Sequence, residues 1–347
     1  MAARTVVVLP DMFRCFLVQE PRVNRNYRTA KLASEKWLTE KCSFSLKMQK
    51  RVNACDFSYF CSVAAPDAPK DRLQTMCDWG NWVFPFDDMF DSGHLRSDLE
   101  TSRQVLNSLM SNMLGKSCYI GTKLPVFQAH DDVFRRLSAC APIGVQRRFA
   151  KSMELYAEGV ARHVQTFTSH RLPSLQDMLQ TRRLSVGVAP LYHLIEYTHS
   201  LQIPDDVFED PAIQALERLG ADLVILSNDI LSYRKEESEG CPFNMVAACR
   251  MNGKSAQEAF DIVGSLLEES YIEWDEVMIR MPCWDVAVDS EVERYIKGIQ
   301  NVVQANISWS FHSKRYLGAD GPQVRKTWRI DVLVNPPYLS DSVGAEY

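Results

Sequence analysis

The sequence lacks several features that would each point to a particular class of protein. Its 347 residues contain no run of 18 uncharged apolar residues, so the sequence predicts no transmembrane helix and no membrane partner. Its ten cysteines are irregularly spaced and form no CxxC pair, which argues against a disulfide scaffold or a zinc site and favours a reduced, cytoplasmic protein. The formal net charge of −5 argues against a nucleic-acid partner, because nucleic-acid-binding surfaces usually carry a basic excess.

Strand patterns and low-complexity linkers are also scarce. Strand-like alternation occurs only at residues 6–9 and 330–334, near the two ends. Elsewhere, apolar residues recur every three or four positions, which is the helical period. With 46% hydrophobic residues, the chain has enough apolar material for a large core. The pattern predicts one all-α domain of about ten helices over residues 1–320 and a C-terminal tail or capping segment over 321–347.

The first unusual stretch places three carboxylates among aromatic residues. In FPFDDMFDSG (84–93), Asp87, Asp88 and Asp91 share five positions. On a helix, Asp87 and Asp91 would lie one turn apart, where their like charges repel, severely so in a pocket. Mg²⁺ would relieve that repulsion, because it prefers oxygen ligands and is typically shared between carboxylates and a substrate phosphate. The alternative is an acidic first turn of a helix that begins at or is kinked by Pro85.

A second polar stretch reads NDILSYRKE (228–236). Asn228, Ser232 and Glu236 are spaced by four residues, so a helix would place them in one line. An amide oxygen, a hydroxyl and a carboxylate are three hard oxygen donors, which indicates a second site for a divalent cation. Lys235 could meet a phosphate beside it. A helix C-terminus that leaves the core is the alternative, but it does not account for this choice and spacing of donors.

Together these stretches resemble the metal-binding motifs of class I terpene synthases of the microbial type. That family has an aspartate-rich motif, DDxx(x)D/E, and a second motif, NDxxSxxxE. Arg315 and Tyr316 are similar to the family's late Arg–Tyr pair, and TRRLSVGVAP (181–190) is similar to its arginine sensor. The ordered motifs extend the resemblance over about residues 20–320, and FPFDDMFDSG is most similar to fungal sesquiterpene synthases.

The resemblance implies a fold, a cofactor and a substrate. The fold is an all-α bundle of about ten or more helices around a central apolar cavity, with the two metal motifs facing each other across its mouth. The cofactor is three Mg²⁺ ions, for which Mn²⁺ can substitute. The substrate is a prenyl diphosphate, and farnesyl diphosphate is expected to be ionised to a carbocation that becomes a sesquiterpene hydrocarbon or alcohol. A homodimer or a monomer would fit equally well.

The resemblance also assigns the metal ligands. Asp87 is the first choice for direct ligation, Asp91 is a ligand or a partner of one, and Asp88 would orient a basic residue. The second motif should hold another ion. The residues expected to bind metal are Asp87, Asp91, Asn228, Ser232 and Glu236.

The diphosphate is expected to meet cationic and hydroxyl donors. Lys235 and Arg315 would pair with its oxygens, and Tyr316 would donate one hydrogen bond. Asp87, Arg315 and Tyr316 are the expected catalytic residues. The expected diphosphate-binding set is Arg183, Lys235, Arg315 and Tyr316.

The arginine sensor could be either of two adjacent residues. Helical geometry allows only one of Arg182 and Arg183 to face the pocket. Gly187 stands four positions after Arg183, which resembles the family's spacing between sensor and glycine, so Arg183 is the predicted sensor.

Aromatic side chains near the motifs are expected to line the cavity and to stabilise the carbocation. Phe84 lies three residues before Asp87 on the same helical face, and Trp309 lies six residues before Arg315. Phe57 is a third candidate. Packing in the core is the ordinary alternative for any single aromatic residue. The expected pocket-lining set is Phe57, Phe84, Gly187 and Trp309.

Other functions are compatible with parts of the pattern. A chain-elongating prenyltransferase would share the pocket and the ions, but such enzymes carry two Asp-rich motifs, whereas the second motif here is Asn/Ser/Glu. A synthase of an acyclic terpene alcohol from a 10- or 15-carbon substrate is another alternative. A non-catalytic binding protein with a vestigial pocket is disfavoured by the intact donors, and a class II cyclase by the absence of a DxDD sequence.

Overall fold

Helices dominate the part of the chain that the computed structural model describes, namely residues 2–91, 93–111, 113, 124–169 and 173–341. The all-α prediction is confirmed. Short 3-10 helices occupy Cys15–Leu17, Asp205–Glu209 and Gly318–Asp320. The α-helices, numbered along the chain, are α1 Tyr27–Cys42, α2 Leu46–Cys55, α3 Phe57–Ala64, α4 Lys70–Asp91, α5 Leu99–Met110, α6 Pro125–Ser138, α7 Ile143–Ser169, α8 Leu175–Ser185, α9 Val188–His199, α10 Pro211–Ser238, α11 Met245–Met251, α12 Ala256–Ile279, α13 Val286–His312, α14 Gly321–Thr327 and α15 Pro337–Asp341.

Two of the long helices, α10 and α12, begin at side-chain caps that the sequence provides. At the start of α10, the Asp210 carboxylate accepts a hydrogen bond from the Ala212 N–H (2.7 Å), and Pro211 takes the first helical position. At the start of α12, Ser255 and Glu258 form a reciprocal capping box. These caps fix where two of the central helices start.

The helices pack around a shared apolar interior. α10 packs against α12 and α13, α13 packs against α3, and α7 packs against α8 and α9. At the contact of α3 with α4, a Cβ atom on Gly80 would lie 2.2 Å from the ring of Phe57, so only glycine allows this approach. Within the described residues, none of the helices combines the length and the apolar character that crossing a bilayer requires.

Two short strands form where strand-like alternation was predicted. β1 (Arg4–Val8) pairs antiparallel with β2 (Arg329–Leu333), so the two ends of the chain meet. The buried Arg250 guanidinium on α11 donates to the carbonyl oxygens of Leu333 (2.7 Å) and Val334 (2.6 Å). The strand pair is thereby attached to the helical bundle.

The predicted tail continues along the bundle after β2. The hydroxyls of Tyr338 and Tyr233 are 2.6 Å apart, which connects α15 to α10. The described part of the tail therefore packs against the bundle. Residues 342–347 lie outside the described residues, and a domain boundary at residue 320 remains a prediction.

Candidate active site

A pocket opens between the helices and includes residues of both predicted metal motifs. Its walls come from α3, α4, α7 to α10 and α13, together with the segments that follow α10 and α13. The space between the walls, including the part open to solvent, is ≈ 1230 Å³. All four residues that were predicted to line a cavity lie in its wall: Phe57, Phe84, Gly187 and Trp309.

Aromatic rings pack closely on one side of this pocket. Phe84 stacks on Trp309 with ring centroids 5.2 Å apart, and Phe57 meets Phe84 edge-on at 4.5 Å. Tyr316 meets Trp309 edge-on at 5.3 Å. The indole N–H of Trp309 donates to the Cys55 carbonyl (2.6 Å), so its one polar group is already paired. This side of the pocket presents π faces that can stabilise a cation without attacking it.

The aspartate-rich motif lies at the carboxyl end of α4. The helix runs unbroken through Pro85 to Asp91, so the alternative of an acidic first turn is wrong. Asp87 and Asp91 both line the pocket. The carboxyl end of a helix carries negative partial charge and favours cations. Capping therefore does not explain these carboxylates, whereas a bound cation would.

Burial makes the charges of this motif costly. Burial and repulsion from Asp91 raise the pKa of Asp87 well above its ordinary value, although the Tyr156 hydroxyl donates a hydrogen bond to Asp87. Burial also raises the pKa of Asp91, against the opposing charge of Arg182. Because the side chain of Asp91 is 46% exposed to the open pocket, burial penalises its charge less than it penalises that of Asp87. Without a bound cation, it is therefore unfavourable for Asp87 and Asp91 to be ionised at the same time.

His163 approaches the same carboxylate without neutralising it. Its Nδ1 lies 3.6 Å from Asp91 Oδ1, and its ring stacks on Phe243 with centroids 3.9 Å apart. Burial, helped by the charges of Arg182 and Arg96, lowers the pKa of His163 to about 3. The imidazole is therefore neutral near pH 7, and the contact with Asp91 is not an ion pair.

The middle carboxylate of the motif has a different role from its neighbours. Asp88 Oδ1 accepts a hydrogen bond from Arg315 Nη2 (3.1 Å), and its Oδ2 accepts one from Arg51 Nη2 (2.8 Å). The structure therefore places Asp88 where it orients a basic residue at the pocket. Arg51 was not singled out in the sequence, and no pattern around it would have done so.

The second motif lies along α10, on another wall of the same pocket. Asn228 and Glu236 line the pocket. Ser232 is fully buried and does not line the pocket itself. Its Oγ has no hydrogen-bond partner among the described residues, which is unusual for a buried hydroxyl. An unpaired hydroxyl oxygen in a row with an amide and a carboxylate fits a cation ligand.

The row on α10 is held by hydrogen bonds from neighbouring segments. The Tyr316 hydroxyl accepts a hydrogen bond from Asn228 Nδ2 (3.0 Å). The Asn228 amide oxygen accepts a long hydrogen bond from Arg182 Nη2 (3.4 Å), and its second lone pair remains for a cation. Asn244, at the start of α11, donates its Nδ2 to Glu236 Oε2 (2.8 Å). Asn244 was also missed in the sequence, since it lies eight residues beyond the motif in a loop with no helical register.

The predicted arginine sensor is corrected by one position. Arg183 forms a two-bond pair with Asp222 on α10, with distances of 2.6 and 2.8 Å, and it does not line the pocket. Arg182 lines the pocket and pairs with Asp229 at 2.5 Å. The spacing to Gly187 pointed to the wrong member of the pair, because Gly187 begins a new helix at φ +72° and the register does not continue through it.

Arg182 is charged and has an N–H donor for an anion. Burial alone would lower the pKa of Arg182, but the charges of Asp229, Glu236 and Asp91 outweigh burial and raise it. Its Nε is buried without a hydrogen-bond partner among the described residues. The Asp229 carboxylate that holds it also accepts the Met245 N–H (2.8 Å), which ties Arg182 to the start of α11.

The other predicted diphosphate ligands also reach the pocket. Lys235, Arg315 and Tyr316 all line it. The Arg315 guanidinium lies 4.5 Å from the Phe84 ring centroid, and its Nε is buried with no partner in the described parts of the chain. Lys235 pairs with Glu239 at 2.6 Å. Two buried guanidinium N–H groups, on Arg182 and Arg315, are thus left for an acceptor.

The donor set fits divalent cations that are shared with a ligand. Across the described residues, no group of three His, Cys, Asp or Glu side chains is placed to hold a metal ion by itself. Each wall offers an incomplete set instead. Mg²⁺ is commonly bound by one or two carboxylates and completed by substrate phosphates and water, so incomplete sets are what such a site requires.

Comparisons with known proteins agree with this geometry. Residues 78–273 match the family model described as "Terpene synthase family 2, C-terminal metal binding". Silphinene synthase peniA of Penicillium patulum is 33% identical over 336 residues, which cover 95% of this chain and 90% of the relative. Sesquiterpene synthase 1 of Postia placenta is 29% identical, with 96% of each chain covered. The crystal structure of a-eudesmol synthase superposes with a TM-score of 0.76 at 23% identity, covering 85% of this chain and 97% of that one.

Proposed function

The chain belongs to the terpene synthase family and is a class I terpene synthase, a lyase that acts on a prenyl diphosphate. On this premise we propose that it converts farnesyl diphosphate to a sesquiterpene hydrocarbon or alcohol. One observation carries the proposal. Oxygen donors from both motifs and the basic side chains of Arg182, Lys235 and Arg315 line the same aromatic-lined pocket. A diphosphate at the pocket mouth would contact the basic side chains and the metal-binding oxygen donors, and a hydrocarbon chain inside would contact the aromatic rings.

Divalent ions are part of this proposal, with Mg²⁺ as the expected metal and three ions as the expected number. Asp87 and Asp91 on α4 would hold ions on one side, and Asn228, Ser232 and Glu236 on α10 would hold one on the other. Bound ions would supply positive charge that stabilises the diphosphate as it leaves. The paired repulsion at α4 and the unpaired Ser232 hydroxyl support this assignment.

The basic residues would bind and orient the diphosphate. Arg182 and Arg315 each keep a buried N–H without an acceptor among the described residues, and Lys235 adds a positive charge at the pocket wall. The Tyr316 hydroxyl accepts from Asn228, so its own proton remains for a phosphate oxygen. Positive charge fixed at the place where negative charge develops lowers the barrier to bond cleavage.

The aromatic side of the pocket would then hold the hydrocarbon cation. Phe57, Phe84 and Trp309 present rings in mutual contact, and packed rings leave little space for water. Exclusion of water keeps the cation from being captured early. A 15-carbon substrate is supported by the relative named as a sesquiterpene synthase.

The proposal is tested by incubating the purified protein with geranyl, farnesyl or geranylgeranyl diphosphate, each with and without Mg²⁺. Gas chromatography with mass spectrometry should detect a 15-carbon product from farnesyl diphosphate that depends on the metal. A parallel incubation with added isopentenyl diphosphate tests for chain elongation. A longer prenyl diphosphate as the main product, or no metal-dependent volatile from any substrate, would contradict the proposal.

A further inference from the structure

The inner wall of the pocket contains a polar group that the proposed function does not use. Asn306 on α13 lines the pocket and is only 3% exposed. It lies three residues before Trp309 and shares this wall with Val224 of α10. Val224 precedes Asn228 by one helical turn, about 6 Å of helix rise. Asn306 therefore belongs to the part of the pocket below the metal motifs, where a hydrocarbon would lie.

The hydrogen bonds of Asn306 determine which end of its amide faces the pocket. Nδ2 donates to Ser227 Oγ (3.0 Å) and to the Val224 carbonyl (3.3 Å). The Ser227 hydroxyl proton is directed at the Leu223 carbonyl (2.6 Å), so its oxygen can only accept from Asn306. Both partners are thus acceptors, and rotating the amide by half a turn would set oxygen against oxygen.

The remaining atom is the carbonyl oxygen. With both N–H bonds directed to α10, Oδ1 is left for the pocket, and nothing in the described chain donates a hydrogen bond to it. The surrounding helices hold this dipole in place, so no reorganisation is needed when a charge arrives. In a water-poor pocket, a fixed carbonyl dipole attracts a positive charge more strongly than it would in water.

We propose that Asn306 is a specificity-determining residue whose Oδ1 stabilises positive charge on the inner part of the terpenyl chain. This inference rests on the proposed function. The residue would favour those carbocations whose charge lies near the α10–α13 wall over those whose charge stays near the diphosphate. It would therefore change the ratio of products and leave the ionisation step largely unaffected.

The test compares product ratios of the wild type with those of Asn306→Leu, which keeps a similar volume but has no dipole. We expect the ratio of the two main products to change at least about fivefold, whereas the rate of diphosphate release stays within about threefold. A fivefold change corresponds to about 1 kcal/mol in relative barrier height. The same changes are expected for Asn306→Ala. This variant replaces Asn306→Leu in the test if the melting temperature shows that the leucine variant does not fold.

Two further variants separate the dipole from other effects. Ser227→Ala removes one of the two acceptors of the Asn306 amide but leaves the Val224 carbonyl to hold Nδ2 and so to keep Oδ1 in place. Its product ratio should therefore stay within about twofold of the wild type. Asn301→Leu, on the same helix but outside the pocket wall, should behave likewise. An unchanged ratio in Asn306→Leu, or an equal shift in Ser227→Ala, would overturn the inference. No product from the wild type would instead overturn the proposed function.

Discussion

The two walls of the pocket mouth provide oxygen donors in different ways. On α4, Asp87 and Asp91 are like charges at the carboxyl end of a helix, and each has its pKa raised chiefly by burial. On α10, Asn228, Ser232 and Glu236 include only one charge. The α4 wall provides closely spaced like charges, whereas the α10 wall provides mostly neutral donors whose positions on the helix bring them into one row.

The difference shows what each wall needs from the rest of the molecule. The α4 carboxylates attract cations by charge and have few supporting bonds beyond the one from Tyr156. The α10 donors depend on Tyr316 and Asn244, which hold Asn228 and Glu236 in place. Removing a charge should therefore weaken cation binding most at the α4 wall. Removing a supporting hydrogen bond should weaken it most at the α10 wall.

The largest effect is expected from removing charge on α4. Asp87→Asn should lower metal-dependent turnover by about 10²- to 10³-fold, because a buried electrostatic contact to the reacting group is lost. Diphosphate release from farnesyl diphosphate is the measurement. Asp206→Asn is the matched control, since Asp206 is exposed and does not line the pocket. Equal turnover in the wild type and Asp87→Asn would contradict the role of this wall.

The adjacent arginines should differ in turnover, because each pairs with a buried carboxylate but only Arg182 also lines the pocket. Arg182→Met removes a guanidinium at the pocket and should lower turnover by about 10²-fold, with much of the effect in diphosphate binding. Arg183→Met leaves the Asp222 carboxylate, which is 2% exposed, without its main partner. It should lower the free energy of unfolding by about 2 kcal/mol and leave the turnover of the folded enzyme nearly unchanged. Steady-state kinetics and urea unfolding of the same two samples provide the check, and the reverse pattern would restore Arg183 as the sensor.

A smaller effect is expected from the support behind α10. Asn244→Ala removes the donor to Glu236, so the concentration of Mg²⁺ at half-maximal activity should rise about tenfold. The maximal rate at saturating Mg²⁺ should change less. Asn252→Ala, an asparagine at the other end of α11, is the control. A lower maximal rate with an unchanged Mg²⁺ requirement would show that Asn244 supports the fold and not the site.

The smallest effect concerns pH in the absence of metal. A carboxyl whose pKa is raised by folding favours the folded state at low pH, and this contribution is lost as pH rises from about 4, the ordinary Asp value, through the raised pKa. Asp87→Asn removes the penalty of an ionised Asp87. The metal-free variant should therefore melt about 2 °C higher than the metal-free wild type at pH 7.5, and the gain should shrink toward pH 4. Melting curves of both proteins between pH 4 and pH 7.5 measure this difference in melting temperature. A difference that grows as pH falls would contradict the prediction.

Much of the fold and most of the site could be predicted from the sequence because both depend on local spacing. The helical period of apolar residues identified the bundle. The four-residue intervals placed Asp87 and Asp91 on one face of α4, and Asn228 and Glu236 on one face of α10. Phe84 and Trp309 were predicted from their register to a motif. These inferences hold wherever one helix continues without a break.

The predictions failed where a helix is interrupted or where a partner is distant in sequence. The choice of Arg183 relied on counting through Gly187, at which α8 gives way to α9 and the register changes. Pro85 did not start a helix, because the packing of α4 against its neighbours carries the helix through it. Tyr156 and Asn244 contact the motifs from other helices or loops, and no spacing in the sequence relates them.

The sequence by itself determined the helical bundle, the two rows of oxygen donors and the family. Only the tertiary structure decided which of two adjacent arginines lines the pocket, which basic residues pair with Asp88 and which end of the Asn306 amide is hydrogen-bonded to α10. The reason is physical. Periodicity determines the face of one helix, whereas the orientation of a buried polar group depends on acceptors and charges from several helices at once.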